Sequence, residues 1–296
     1  MTNNDTKPRV AFIGLGAMGY PMAARLAGAG FPLAVFDVAP GVGKRFCAEF
    51  TAQDFASAAD AAAGADFVIT MLPSSKEVEA TLLGAGSIPA VVDRLEAGAT
   101  VIDMSSSEPL RTRILFQTLA GKNLTLVDAP VSGGVKKARD GSLAIMVGGS
   151  EASLEHCRPV LESMGTKIFH TGEVGSGHAM KALNNFVSAA GLVATVEALH
   201  IGEKFGLDPA TMTRVLNAST GKNHTTENKV EQFMLSGAYN SSFGLALMAK
   251  DVGIAVRLAE ALGAPVRQGS VCSDMWNEAA EATKGVDHTE MYRLLK

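Results

Sequence analysis

Lys181 and Asn185 stand four residues apart in Gly175-Ser176-Gly177-His178-Ala179-Met180-Lys181-Ala182-Leu183-Asn184-Asn185. On a helix, that spacing puts an amine and an amide on one face. An amine there can take or return a proton, and the amide beside it can orient the reacting group. A lysine at its reference pKa of about 10.4 is a poor base at neutral pH, so the role requires burial or a neighbouring cation. The same pair also suits an ordinary solvated helix face, and spacing alone does not separate the two. His178, on the same stretch, is expected to serve the start of the helix, and Met180, Phe186 and Met248 are expected in the core.

The run Gly14-Leu15-Gly16-Ala17-Met18-Gly19 follows an apolar strand pattern and precedes an alanine-rich helical one. Gly14 permits a tight turn, Gly16 lets a pyrophosphate approach the backbone, and Gly19 lets helix and strand pack closely. The free N–H groups and dipole of the helix start then favour the phosphates. A glycine turn in any doubly wound domain has a similar pattern. Here a second strand ends at Asp37, 18 residues beyond Gly19, where a carboxylate accepts hydrogen bonds from ribose hydroxyls. That carboxylate repels a 2′-phosphate, so the expected cofactor is NAD. Lys44 and Arg45, a turn or two into the next helix, keep NADP in play.

A third stretch, Asp128-Ala129-Pro130-Val131-Ser132-Gly133-Gly134, follows another strand. Ser132, Gly133 and Gly134 can turn several N–H groups toward one point and hold a carboxylate, although an ordinary glycine turn reads the same way. No metal is expected, because the six histidines form no H-x-x-x-H or H-E-x-x-H pattern and there is no C-x-x-C. There is no G-x-S-x-G for acyl transfer either.

These residues must be positioned by elements that the pattern also supplies. The 296 residues suggest two domains at about 150 each. Strands are expected at 10–13, 33–36, 67–71, 100–103, 125–128, 143–147 and 167–169, with helical stretches between the early ones. That alternation implies βαβ units and a mainly parallel sheet, finishing with mixed directions. From about Gly177 strand patterns vanish. His178 to Phe205 predicts one long helix, Asp208-Pro209 a new helix start, and further helices are expected at 227–235, 243–262 and 266–280. The expected fold is therefore an α/β Rossmann-type doubly wound domain over residues 1–170, then an all-α domain over 171–296.

The chain is 47% apolar with 26 Lys plus Arg against 30 Asp plus Glu, a net charge of −4. Without a basic footprint, nucleic acid is not an expected partner. Three separated cysteines argue against a disulfide framework and for a reducing compartment. No segment has about 18 uninterrupted apolar residues, so no membrane span is expected. A cytoplasmic protein is the reading.

Taken together, Gly14 to Gly19, Asp128 to Gly134, Gly175 to Asn185 and Met248-Ala249-Lys250-Asp251 resemble the β-hydroxyacid dehydrogenases and, within them, the branch acting on 3-hydroxyisobutyrate. The resemblance implies an NAD-dependent oxidoreductase that interconverts a small β-hydroxy acid and its semialdehyde by hydride transfer. It implies that Lys181 is the general acid/base and that Asn185 places the substrate. Ser132, Gly133 and Gly134 would hold the substrate carboxylate, and Lys250 would lie beside substrate and nicotinamide in a cleft between the domains. Met71-Leu72-Pro73 would run along the cofactor. Ser105-Ser106 would stand where the family commonly has Ser-Thr contacting the nicotinamide side, with Ser106 in the place of threonine. A homo-oligomer, dimer or tetramer, is also implied. The stretch 220–228 departs from the 3-hydroxyisobutyrate pattern and leaves the hydroxy acid open. A tartronate or succinic semialdehyde reductase is one alternative, and a non-catalytic dinucleotide-binding protein is another. An imine reductase on the same scaffold fits less well, because those relatives generally lack a lysine at the place of Lys181.

Overall fold

The computed structural model describes residues 7–295. The chain forms two compact units, one ending at Lys181 and the other beginning at Ala182. In the first, the strands are β1 (Val10–Ile13), β2 (Leu33–Phe36), β3 (Gln53–Asp54), β4 (Phe67–Thr70) and β5 (Thr100–Asp103). They continue with β6 (Thr125–Asp128), β7 (Val131–Ser132), β8 (Leu143–Gly148) and β9 (Gly165–Gly172). The helices are α1 (Gly19–Gly28), α2 (Val42–Glu49), α3 (Ala58–Ala62), α4 (Ser75–Leu83), α5 (Pro109–Ala120), α6 (Gly134–Asp140) and α7 (Glu151–Leu161).

The sheet order is β3-β2-β1-β4-β5-β6-β8-β7, with β9 paired to β8. Strands β1 to β6 are parallel, β8 runs antiparallel to β6 and β7, and β9 runs parallel to β8. This confirms the doubly wound expectation, including the mixed ending. The period-2 alternation of β1 explains its two buried faces. Val10 and Phe12 pack with residues of α1, α2 and α7, while Ala11 and Ile13 pack with residues of α3, α4 and α5. Strand order reverses between β1 and β4, which is where an open α/β sheet leaves a crevice at its carboxyl ends. The two-residue strands β3 and β7 escape sequence reading because they are too short to show a period.

Helix α8 (Ser176–Phe205) starts in the first unit and continues into the second. It is followed by α9 (Pro209–Asn217), α10 (His224–Asn228), α11 (Leu245–Ala261), α12 (Arg267–Ala282) and α13 (Met291–Leu294). Asp208 caps α9 by accepting from the Thr211 N–H at 2.7 Å, with Pro209 at the first helical position, as expected. Ala189, Leu192, Val193, Val196 and Leu199 recur at helical spacing along α8. They form a core with Met248 and Val252 of α11, Trp276 of α12 and Met291 of α13.

Two expectations change. The helix expected at 227–235 breaks at Lys229 and resumes as a wide turn over Val230–Leu235, in which the Met234 N–H reaches the Lys229 carbonyl five residues back. Met180 is not core: it is 42% exposed, whereas Met248 is buried and Phe186 partly so. Helix α8 is also long and apolar enough to cross a membrane by length and composition alone, a criterion that buried core helices meet as well.

Candidate active site

The glycine run forms the turn from β1 to α1 at the strand-order reversal. Gly14 has φ +100°, and a Cβ there would stand 2.4 Å from the Met71 carbonyl oxygen. A Cβ on Gly19 would stand 1.9 Å from the Gly14 carbonyl oxygen. Both positions need glycine for the fold itself. Gly16 differs, because a Cβ there would meet nothing within 4 Å. Open space over a glycine between two packing glycines fits the approach of a pyrophosphate. The start of α1 has no side-chain cap from Met18, which leaves its first turn suited to an anion. Asp37, at the end of β2, accepts the Leu15 N–H at 2.6 Å on one oxygen and the Ala39 N–H at 2.7 Å on the other. A carboxylate offers about four acceptor positions, so capacity remains for ribose hydroxyls. The residues present therefore fit a dinucleotide.

Arg45, one of the two cations that keep NADP in play, stacks on an aromatic ring. Its guanidinium sits over the Tyr20 ring at 4.8 Å. Both line an open groove of about 870 Å³ that includes Leu15, Gly16, Ala17 and Arg25.

Loops after β4 and β5 are tied together by Ser105. The buried Ser105 hydroxyl accepts the Leu72 N–H at 2.9 Å, and the Ser105 N–H donates to Asp103 at 3.0 Å. Met71, Leu72 and Pro73 thus follow β4 directly, and Ser106 stands half-buried one residue beyond this tie.

The third stretch also gains a partner. Asp128 is fully buried at the end of β6, where its two oxygens accept the N–H groups of Gly175 at 2.6 Å and His178 at 2.8 Å. Burial pushes the Asp128 carboxyl above its ordinary value, opposed by His178 and by these two N–H donors. A Cβ on Gly177 would stand 2.3 Å from the Met146 carbonyl oxygen and 2.9 Å from that of Asp128. Gly175 has φ +90°. The glycines ahead of Lys181 are thus explained by close packing of the start of α8. Ser132 lies in β7, followed by Gly133 at φ +135° and Gly134 at φ +68°, conformations that favour glycine.

On α8, Lys181 is buried at 9% exposure, so the solvated-face reading fails for it. Within the second unit, Asn185 is buried, and its Nδ2 donates to Asp251 at 2.6 Å while its Oδ1 accepts from Asn184 at 3.0 Å. Lys250 Nζ lies 3.4 Å from the other Asp251 oxygen. Asp251 is a residue whose role sequence reasoning missed. Its signal was present in the Lys250-Asp251 pair, but nothing local shows that it faces Asn185, 66 positions away.

Comparison with known proteins agrees with this architecture. Residues 9–172 match the model for the NAD-binding domain of 6-phosphogluconate dehydrogenase. Residues 175–295 match that for the NAD-binding domain of NADP-dependent 3-hydroxyisobutyrate dehydrogenase. A 3-hydroxyisobutyrate dehydrogenase of Pseudomonas aeruginosa is 38% identical, over 97% of this chain and 98% of that one. The 2-(hydroxymethyl)glutarate dehydrogenase of Eubacterium barkeri is 35% identical, over 97% and 94%. A Mycobacterium tuberculosis 3-hydroxyisobutyrate dehydrogenase, solved with L-serine, superposes with a TM-score of 0.90 at 35% identity, covering 98% of this chain and 99% of that one. With the glycine turn after β1 and the buried lysine and asparagine of α8 in place, this chain belongs to the β-hydroxyacid dehydrogenase family of NAD(P)-dependent oxidoreductases.

Proposed function

We propose that the chain interconverts a 2-substituted 3-hydroxypropanoate and its semialdehyde, with Lys181 as general acid/base and NAD as the preferred cofactor. The observation that carries this reading is the pair on α8: a buried amine at Lys181 and, four residues on, an amide at Asn185 whose orientation Asp251 fixes. The names attached to the relatives support the substrate class. 3-Hydroxyisobutyrate, 2-(hydroxymethyl)glutarate and L-serine all carry a hydroxymethyl group on the carbon next to a carboxylate. They differ in the third substituent, which is a methyl, a carboxyethyl or an amino group.

When bound, the nicotinamide supplies the hydride acceptor or donor. The chain's own residues do the rest. Lys181 takes the proton from the substrate hydroxyl oxygen in oxidation and returns it in reduction, and its positive form stabilises charge developing on that oxygen. Asn185 places the hydroxyl, and Lys250 adds a second cation near the reacting atoms. Ser132, Gly133 and Gly134 hold the carboxylate shared by all three substrates. Met71, Leu72 and Pro73 run along the cofactor, and Ser106 contacts its nicotinamide side.

The test is turnover of 3-hydroxyisobutyrate, L-serine and 2-(hydroxymethyl)glutarate, each with its methyl ester, followed by NADH absorbance. At least one free acid should be oxidised and its ester should be much poorer. An ester as good as the acid would remove the carboxylate role. Tight NADH binding with no turnover of any acid would favour the non-catalytic alternative.

A further inference from the structure

Three residues before Lys181, the buried side chain of His178 lies between two buried carboxylates. Its Nε2 stands 3.6 Å from Asp103 and its Nδ1 3.8 Å from Asp128, with Thr112 Oγ1 closer to Nδ1 at 2.8 Å. The Thr112 hydroxyl also stands 3.0 Å from the Glu108 carbonyl, so it donates either to that oxygen or to Nδ1. Nε2 has no hydrogen-bond partner and faces a carboxylate oxygen, so a lone pair on it would be repelled. The ring therefore presents one nitrogen to Thr112 and the other to Asp103.

Each carboxylate also holds a different part of the first unit. Asp103 accepts from Thr70 Oγ1 at 2.9 Å, the Ser105 N–H at 3.0 Å and Ser107 Oγ at 2.7 Å, which fixes the loop carrying Ser106. Asp128 accepts from the N–H groups of Gly175 and His178, which fixes the first turn of α8. His178 is the side chain standing between these two groups.

We infer that His178, clamped between Asp103 and Asp128, is a positioning residue that registers Lys181 to the loop following β5. The inference rests on the proposed role of Lys181. It assigns His178 no contact with substrate or cofactor. Its effect is to hold the backbone of the turn that carries the lysine, so that the amine meets the substrate oxygen in one geometry. Small displacements of a catalytic group slow proton and hydride transfer more than they weaken binding.

The experiment compares His178→Leu, His178→Gln, Thr112→Val and Lys181→Ala with the parent enzyme. The readouts are NADH binding by fluorescence, amide hydrogen exchange over residues 172–185, and kcat and KM for 3-hydroxyisobutyrate. The primary isotope effect is taken with substrate dideuterated at its hydroxymethyl carbon. His178→Leu should lower kcat about 10–100-fold while KM and NADH affinity stay within about 2-fold. Exchange at the first turn of α8 should quicken, and the isotope effect should rise as chemistry becomes limiting. His178→Gln should recover part of the rate, because an amide can still donate to one partner. Thr112→Val, a milder change, should show a smaller loss with the same rise in isotope effect, and keeps the test open should His178→Leu fail to fold. An unchanged kcat and isotope effect in a folded His178→Leu enzyme overturns the inference. So does a rate loss matched by lost NADH-binding sites at constant isotope effect, which marks mere unfolding. If Lys181→Ala is itself nearly fully active, the reading of the lysine fails first. If Lys181→Ala is inactive and the His178 variants are normal, the positioning role alone is wrong.

Discussion

Each oxygen of Asp37 already accepts one backbone N–H, which leaves acceptor capacity on both. A ribose diol can donate there, whereas a 2′-phosphate meets like charge. Asp37→Asn should therefore narrow the ratio of kcat/KM for NAD over NADP by about tenfold, or about 1.4 kcal/mol. It also replaces one acceptor by a donor, so part of the change should be weaker NAD use. A ratio that does not move would dissociate Asp37 from the ribose. At Lys181 the expectation is sharper. Lys181→Ala should keep NADH binding and lose about 10²–10⁴-fold in turnover, the usual range for a general acid/base. Lys181→Arg should not restore it, since a guanidinium keeps its proton. Titrating NADH into both variants separates lost chemistry from lost fold.

Among the elements, the turn from β1 to α1 separates two glycines required by packing from one, Gly16, that packing does not require. Gly14→Ala forces a Cβ against the Met71 carbonyl at a positive φ, and should cost about 1–3 kcal/mol of stability in urea unfolding. Gly16→Ala meets open space, so its melting temperature should stay within about 2 °C of the parent, but NADH affinity should fall at least about tenfold. Normal NADH binding by Gly16→Ala would place the pyrophosphate elsewhere. Helix α8 illustrates the same division. Gly177 is held by its approach to β6 and β8, whereas the buried amide of Asn185 is held by its hydrogen bond to Asp251.

At the scale of the whole molecule, stability carries a titration that the proposed reaction does not use. Lys229 is buried in the second unit, and that burial pulls its amine down from 10.5 to about 8, opposed by Asp287. Burial alone would raise Asp287, but hydrogen bonds from His288, Thr289 and Ser241 outweigh it and hold the carboxyl well below the usual range. Below about pH 8 the lysine is charged in both folded and unfolded chains, so the native state bears the full cost of a buried cation. Between about 8 and 10.5 the unfolded chain binds the extra proton, and stability rises with pH. From pH 7.5 to pH 10 this contribution is about 2 kcal/mol. Urea unfolding at the two pH values should show that gain in the parent relative to Lys229→Met. Equal pH slopes in the two proteins would mean that Lys229 titrates normally.

What the sequence determined by itself was local: alternation along β1, β2, β4 and β5, the Asp208-Pro209 helix start, the glycine turn, and the four-residue spacing of Lys181 and Asn185. Periodicity, proline geometry and glycine freedom act over a few residues, so a linear reading captures them. The tertiary structure decided which polar groups meet. Asp128 reaches the start of α8 across 47 positions and Asp251 reaches Asn185 across 66, while the short strands β3 and β7 exist only through pairing with their neighbours. Met180 shares its helix with core residues, and only the packing of that helix left it exposed. A buried carboxylate must find donors wherever the fold brings them, and that demand leaves no spacing in the chain to read.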